Sequence, residues 1–299
     1  MKLLNSGAAI FLFAITLSGC KGTSENKNTV SIQENAAHQI GDVMASVDEV
    51  GGSGGAYSMA LSEQKNFVRL APEHFKSNWS SFLLPRAEAA SCFLTNTWGS
   101  CSQNEIVRDF ADCNIGGAVF SGTVTLSFAD GTLDNTCTVD SDGDSISRVP
   151  DFAISSSQGA VYAVTKTGTI GQRITRTSAG IFAFSNDGIR RTVTYQGSAL
   201  ADFTTTTTTD LVVTGAQRNG RILNGGTIHV VNNLTSASCD FSPAAVAWNS
   251  SCNCPVSGSW SATCSDGKSG DIEITACGEG TFTLGESSES VVFDRCLSL

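Results

Sequence analysis

Histidine is nearly missing from this chain, with three in 299 residues, and tyrosine and proline are little commoner at three and five. So few imidazoles leave general acid–base chemistry and nitrogen ligation of metals little to work with. His38 and His74 fall near the N-terminus, and only His229 lies in the rest. Basic residues are scarce too: 18 Lys and Arg against 28 Asp and Glu give a net charge of −10. Duplex affinity rests on neutralising phosphates, so a nucleic-acid partner is excluded. Apart from the first twenty residues, no apolar run is long enough to span a bilayer as a helix. With 40% hydrophobic residues the chain is nonetheless rich enough to bury a sizeable core and does not look disordered.

What is abundant is serine, threonine and glycine, at 39, 30 and 30 residues. From residue 91 onward they alternate with apolar positions. Phe120, Val124, Leu126 and Phe128 interleave with Ser121, Thr123, Thr125 and Ser127. Similar alternation occurs at Ile189, Arg191, Val193 and Tyr195, and at Ile272, Ile274 and Ala276. A period of two is the mark of half-buried strands. Between these runs stand Asp130-Gly131, Asp142-Gly143, Asp187-Gly188, Asn219-Gly220 and Asp266-Gly267, dipeptides that favour the positive φ angles of tight hairpins. The expected fold is mainly β: an antiparallel β-sandwich or barrel-like meander of roughly ten to fourteen strands, preceded by a short helical segment. Thr204 to Thr209 suits an extended strand, and threonine on both faces predicts an exposed or edge position.

The N-terminus carries an export signal. Met1-Lys2 is followed by an apolar stretch from Leu3 to Leu17, too short for a stable span. It ends in Leu17-Ser18-Gly19-Cys20, which resembles the lipobox of bacterial lipoproteins. The resemblance implies cleavage before Cys20, acylation of its thiol, palmitate among the chains, and acylation of the new amino terminus. Two or three chains give a durable anchor where one does not. Lys21 rather than Asp follows the cysteine, which in this family implies the outer membrane, on its periplasmic or surface face.

The cysteines agree with export. Ten of the eleven remain besides Cys20, namely Cys92, Cys101, Cys113, Cys137, Cys239, Cys252, Cys254, Cys264, Cys277 and Cys296. An even number in an oxidising compartment reads as a disulfide framework. Cys277 and Cys296 flank an expected hairpin and are candidates to pair across it. Cys239, Cys252, Cys254 and Cys264 offer thiolates for tetrahedral zinc, but the nearest pair is Cys-x-Cys, so disulfides are the expected state.

Four regions follow: a signal peptide at 1–19, a polar tether at 20–30, a helical segment and linker at 31–90, and a disulfide-braced β-domain at 91–299. Ser31-Ile32-Gln33-Glu34 has capping-box spacing, and Ile32, Ala36, Ile40, Val43, Val47 and Val50 recur at helical intervals. The Gly51 to Gly55 run predicts a flexible break. It also fits Gly-x-Ser-x-Gly around Ser53, but that motif needs a strand before it and a helix after it. Further helical stretches are expected at 57–70 and 72–83, packing on the β-domain or on each other.

Two polar constellations in the β-domain are candidate sites. Asp140, Asp142, Asp144 and Asp151 fall at positions one, three, five and twelve of a run resembling EF-hand and thrombospondin-type calcium loops. Ser145 stands where the EF-hand needs glycine, and Asp151 replaces the bidentate glutamate, so an acidic turn is the preferred reading and no cofactor other than calcium is in view. Arg173, Arg176, Arg190 and Arg191 form the densest basic group. Cross-strand ion pairs explain them most simply, and contact with an acidic glycan or lipid headgroup is the functional alternative. A hydrolase would have to use His229 beside a carboxylate and a hydroxyl.

The expected function is therefore that of a lipid-anchored envelope protein: a non-enzymatic binding, adhesion or structural module, associated with the membrane through its acyl chains and with an envelope protein or glycan as partner. The alternative is a carrier that encloses an apolar ligand within the sheet. A cavity among the strands would favour the carrier, and a filled core the binder.

Overall fold

The structure is a computed structural model. It describes residues 103–293, apart from 111, 116–117, 130–138, 140 and 253, together with residues 37, 39–41, 43, 44 and 47 of the N-terminal part. The signal region, Cys20, Ser53, His38, His74, the helical stretches expected at 57–70 and 72–83, and Cys92, Cys101, Cys137 and Cys296 lie outside the described residues. Among the described residues no helix is long and apolar enough to cross a membrane. The protein is mainly β and antiparallel throughout, as the alternation requires.

The strands form one long meander, and most of its central members are broken in the middle. β1 (Glu105–Asp109) and β2 (Cys113–Ile115) lie end to end along β3 (Ala118–Ala129). β3 pairs with β4 (Ser145–Ser156) along its whole length. On the far edge of β4, β5 (Ala160–Lys166) pairs beside Asp151–Ser155 and β6 (Gln172–Ser178) beside Ser145–Arg148. These two are thus one strand interrupted at 167–171. β7 (Ile181–Asn186) and β8 (Ile189–Tyr195) return beside β6 and β5, interrupted at Asp187-Gly188. β9 (Ser198–Thr209) and β10 (Leu211–Thr214) lie beside β8 and β7, interrupted at Asp210. β11 (Ile222–Asn224) and β12 (Thr227–Asn232) lie beside β10 and β9, interrupted at Gly225-Gly226, and β13 (Ser238–Ala247) pairs with both. β14 (Ser257–Cys264), β15 (Ser269–Ala276), β16 (Glu279–Leu284) and β17 (Ser287–Val292) extend the meander hairpin by hairpin.

The interruptions line up from strand to strand and make a crease that divides the sheet into two halves. Close backbone approach demands glycine beside two of the breaks, Gly122 opposite the one between β1 and β2 and Gly226 within the one between β11 and β12. Gly122 and Gly226 have φ of 94° and 83°, and a Cβ at either would overlap Asp151 O or Asp210 O. Only glycine meets both conditions. Pro150 sits in the middle of β4 beside the interruption at 167–171, where its missing N–H removes no ladder bond.

The described residues of the chain's own N-terminal part pack against the concave side of this creased sheet. The described residues at 37–47 have helical backbone, and Ala37, Ile40, Val43, Met44 and Val47 are fully buried in the same core as Tyr162, Phe184, Leu223, Ile228 and Phe241. At about 100° per residue, the seven buried helical positions span roughly 200° of circumference, more than a flat sheet face covers. Ile40, Val43 and Val47 belong to the apolar face expected from spacing. Ala37, Gln39 and Met44 widen it, and the segment joins the β-domain core rather than standing apart from it.

Three expectations need correction. Asp187-Gly188 is no hairpin turn but part of the crease, whereas Asn219-Gly220 and Asp266-Gly267 do lie in hairpin connections. Thr204 to Thr209 belong to a central strand: β9 is flanked by β8 and β12, and Thr205 is fully buried. Inward hydroxyls are tolerated there because partners exist, as where the Asn186 N–H donates to Thr207 Oγ1 at 2.9 Å. Cys277 pairs with Cys252, not Cys296.

Candidate functional site

Two surfaces carry the chemistry, and they are the two faces of the sheet. On the concave face, Gln39 Oε1 accepts from Arg191 Nη1 of β8 and from Thr205 Oγ1 of β9, each at 3.0 Å. Across the crease, in the half built on β6, Arg148 Nη1 donates to Gln172 Oε1 at 2.9 Å. In that same half, Arg221 precedes β11 and donates to Ala216 O at 2.9 Å, Gly215 O at 3.3 Å and Val47 O at 3.3 Å. A guanidinium donating to a backbone carbonyl of the helical segment ties that segment to the sheet by a charge-assisted bond. Gln39, Arg191 and Arg221 are all buried, so their hydrogen bonds fix the register of the helical segment against the sheet, while the buried Arg148 ties β4 to β6 within it.

The crease has its own polar fastening. Asp187 Oδ2 accepts from Thr169 N at 2.6 Å, Ile170 N at 2.7 Å and Thr169 Oγ1 at 3.0 Å, while Oδ1 accepts from Gly171 N at 2.7 Å. Burial pushes this carboxyl's pKa up. The backbone donors of Ile170 and Gly171 and the two Thr169 donors outweigh burial and hold it below the ordinary value.

The four arginines do not gather. Arg190 and Arg191 are neighbours on β8 and therefore point to opposite faces, Arg191 inward to Gln39 and Arg190 outward. Arg190 makes a two-pronged contact with Asp202, at 2.8 and 2.6 Å. That hydrogen bonding raises the Arg190 pKa, and with Asn233 it holds Asp202 low against the opposing effect of burial. Arg173 and Arg176 lie across the crease on β6, where Arg173 donates to Ser147 Oγ at 3.0 Å and Arg176 pairs with Asp142 at 3.2 Å. An anion-binding group of four is thus corrected to separate contacts.

The acidic run likewise divides. Ser141 to Asp144 form a turn, closed by Asp144 N donating to Ser141 O at 3.1 Å and by Ser141 N donating to Asp144 Oδ2 at 2.6 Å. Asp151 lies well along β4, about 20 Å further at the rise of a strand, and does not join them. Asp140 lies outside the described residues.

Among the cysteines, Cys239 bonds Cys264 across β13 and β14, and Cys252 bonds Cys277. Cys113 and Cys254 are disulfide-bonded as well. The four thiols considered for zinc are therefore committed to bridges.

His229 stands on the convex face of β12. Its Nδ1 lies 2.7 Å from Asp240 Oδ1, and Thr206 is its register partner on β9, so carboxylate, imidazole and hydroxyl occupy one row across three strands. The row is open to solvent, with side-chain exposures of 32% for His229 and 52% for Asp240. Solvent weakens the electrostatic assistance such a row can offer a reaction.

No protein-family model, curated protein or solved structure matches this chain.

The residues that hold the concave face together, Gln39, Arg191, Thr205 and Arg221, include only one candidate singled out from sequence. Arg191 carried a readable signal: it shares the parity of Ile189 and Val193, which marks the inward face of β8.

Proposed function

We propose that this chain is a lipid-anchored, non-enzymatic binding or structural module of the bacterial cell envelope, held at the outer membrane by acyl chains on Cys20. The observation that carries this reading over the carrier alternative is the occupancy of the concave face. The surface on which a sheet-borne carrier would hold its apolar ligand is covered by Ala37, Ile40, Val43, Met44 and Val47. A partner is left with the convex face, where Thr206, His229, Asp240 and Thr263 form one polar row. Thr227, Ser242 and Ser261 form another, with 3.0 Å between the Thr227 and Ser242 hydroxyl oxygens. Hydroxyl rows of this kind suit the polar groups of a glycan or an envelope protein. The Cys239–Cys264 bridge between β13 and β14, and the Cys252–Cys277 bridge between the connection after β13 and the turn after β15, brace this part of the sheet and suit an oxidising compartment.

The test is Cys20→Ser in the full chain. Loss of acyl label and release to the soluble fraction is the expected result, since no other run is long enough to anchor the chain. A variant that stays membrane-bound after signal cleavage contradicts the proposal.

A further inference from the structure

The contact between helical segment and sheet has the features of a bound ligand. The segment is flanked in sequence by the polar stretch 21–30 on one side and by Gly51-Gly52-Ser53-Gly54-Gly55 on the other, neither of which carries an apolar pattern. Its described face combines five fully buried apolar residues with one buried amide, and the sheet answers that amide from two strands, through Arg191 and Thr205. Arg221 adds a second polar contact by its bond to Val47 O. An apolar stripe with one polar group read by a matching donor pair is how helix-in-groove recognition obtains both affinity and register.

We propose that the concave face is a helix-binding site whose ligand is the chain's own segment 31–50, held by side-chain recognition and separable from the sheet when the chain is cut behind it. The two polar latches define the specificity. A competing helix must present an amide acceptor one position before an apolar residue, with further apolar residues three and four positions after that one, as Gln39, Ile40, Val43 and Met44 do. Removing the Gln39 acceptor withdraws a charge-assisted bond from Arg191 and a hydroxyl bond from Thr205, which corresponds to about tenfold or more in affinity.

The experiment uses the whole chain, with a specific protease site placed in the Gly51 to Gly55 run and cut after purification. The cut protein is challenged with a fluorescent synthetic peptide of residues 31–50, and exchange is followed by anisotropy and gel filtration. The expected result is that the cut segment co-elutes with the sheet, that excess labelled peptide replaces it, that a Gln39→Ala peptide competes about tenfold less well, and that an Ile40→Asp peptide does not compete. Absence of exchange at all temperatures below unfolding, or equal competition by the substituted peptides, overturns the proposal. Loss of the sheet's folded signal on cutting overturns it too, because the segment would then be inseparable core.

Discussion

Asp187→Ala tests whether the crease is fastened as described. The substitution removes acceptors from three backbone N–H groups and one hydroxyl at 167–171. The two Thr169 donors are exposed and return to water at little cost. The Ile170 and Gly171 N–H groups are partly buried, and each loses a charge-assisted bond, so the expected destabilisation is about 2 to 3 kcal/mol. For a β-domain of this size that is a fall in Tm of about 5 to 10 °C. Urea unfolding at pH 7 should show a lower midpoint with an unchanged slope. The pH dependence gives a second check. Because the folded-state pKa of Asp187 is depressed, its contribution is fully present above the ordinary value of 3.8 and is lost as pH falls through the folded pKa. The gap between the two proteins should therefore narrow as pH drops below 3.8. An unchanged midpoint at pH 7, or a gap that widens in acid, would refute the reasoning.

Gly226→Ala places a Cβ against the Asp210 carbonyl at a φ of 83°, so it should destabilise by about 2 kcal/mol or more in urea unfolding, whereas Gly220→Ala, with open space around it, should cost only the backbone strain. Replacing Cys252 and Cys277 together by serine opens a bridge with a sequence separation of 25 and should cost about 2 to 4 kcal/mol, read as a lower urea midpoint that reductant no longer shifts at that pair. Since Asp151 lies far from the turn that holds Asp142 and Asp144, millimolar calcium should leave Tm unchanged; Asp142→Asn should be nearly silent, and a calcium-dependent rise lost in Asp142→Ala would restore the calcium reading.

Local pattern made the strands legible. The alternation of β3 and β8, the hairpins at Asn219-Gly220 and Asp266-Gly267, the placement of His229 within a strand and the Ile40, Val43, Val47 face all follow from periods of two and 3.6 and from turn chemistry. The crease was not legible, because collinearity is a property of register. β5 and β6 read as two strands whether they lie side by side or end to end, and Asp-Gly serves a kink as well as a hairpin. The threonine run misled for a related reason: composition reports that hydroxyls tolerate water, but the neighbours of β9 decide whether they meet any. The latch on the concave face joins residues 152 and 166 positions apart, beyond the reach of any local spacing rule. The same separation scatters the arginines, since adjacent positions on a strand face opposite ways.

Described residues of the N-terminal segment join the core of the creased sheet and so cover the face a carried ligand would need. Hydrogen exchange of the intact protein tests this directly. Amides at 37–47 should exchange as slowly as those of β8 and β9, and Gln39→Ala should speed them more than it speeds the amides of β16 and β17. Exchange at 37–47 as fast as in the polar stretch 21–30, with β8 and β9 still protected, would contradict the account.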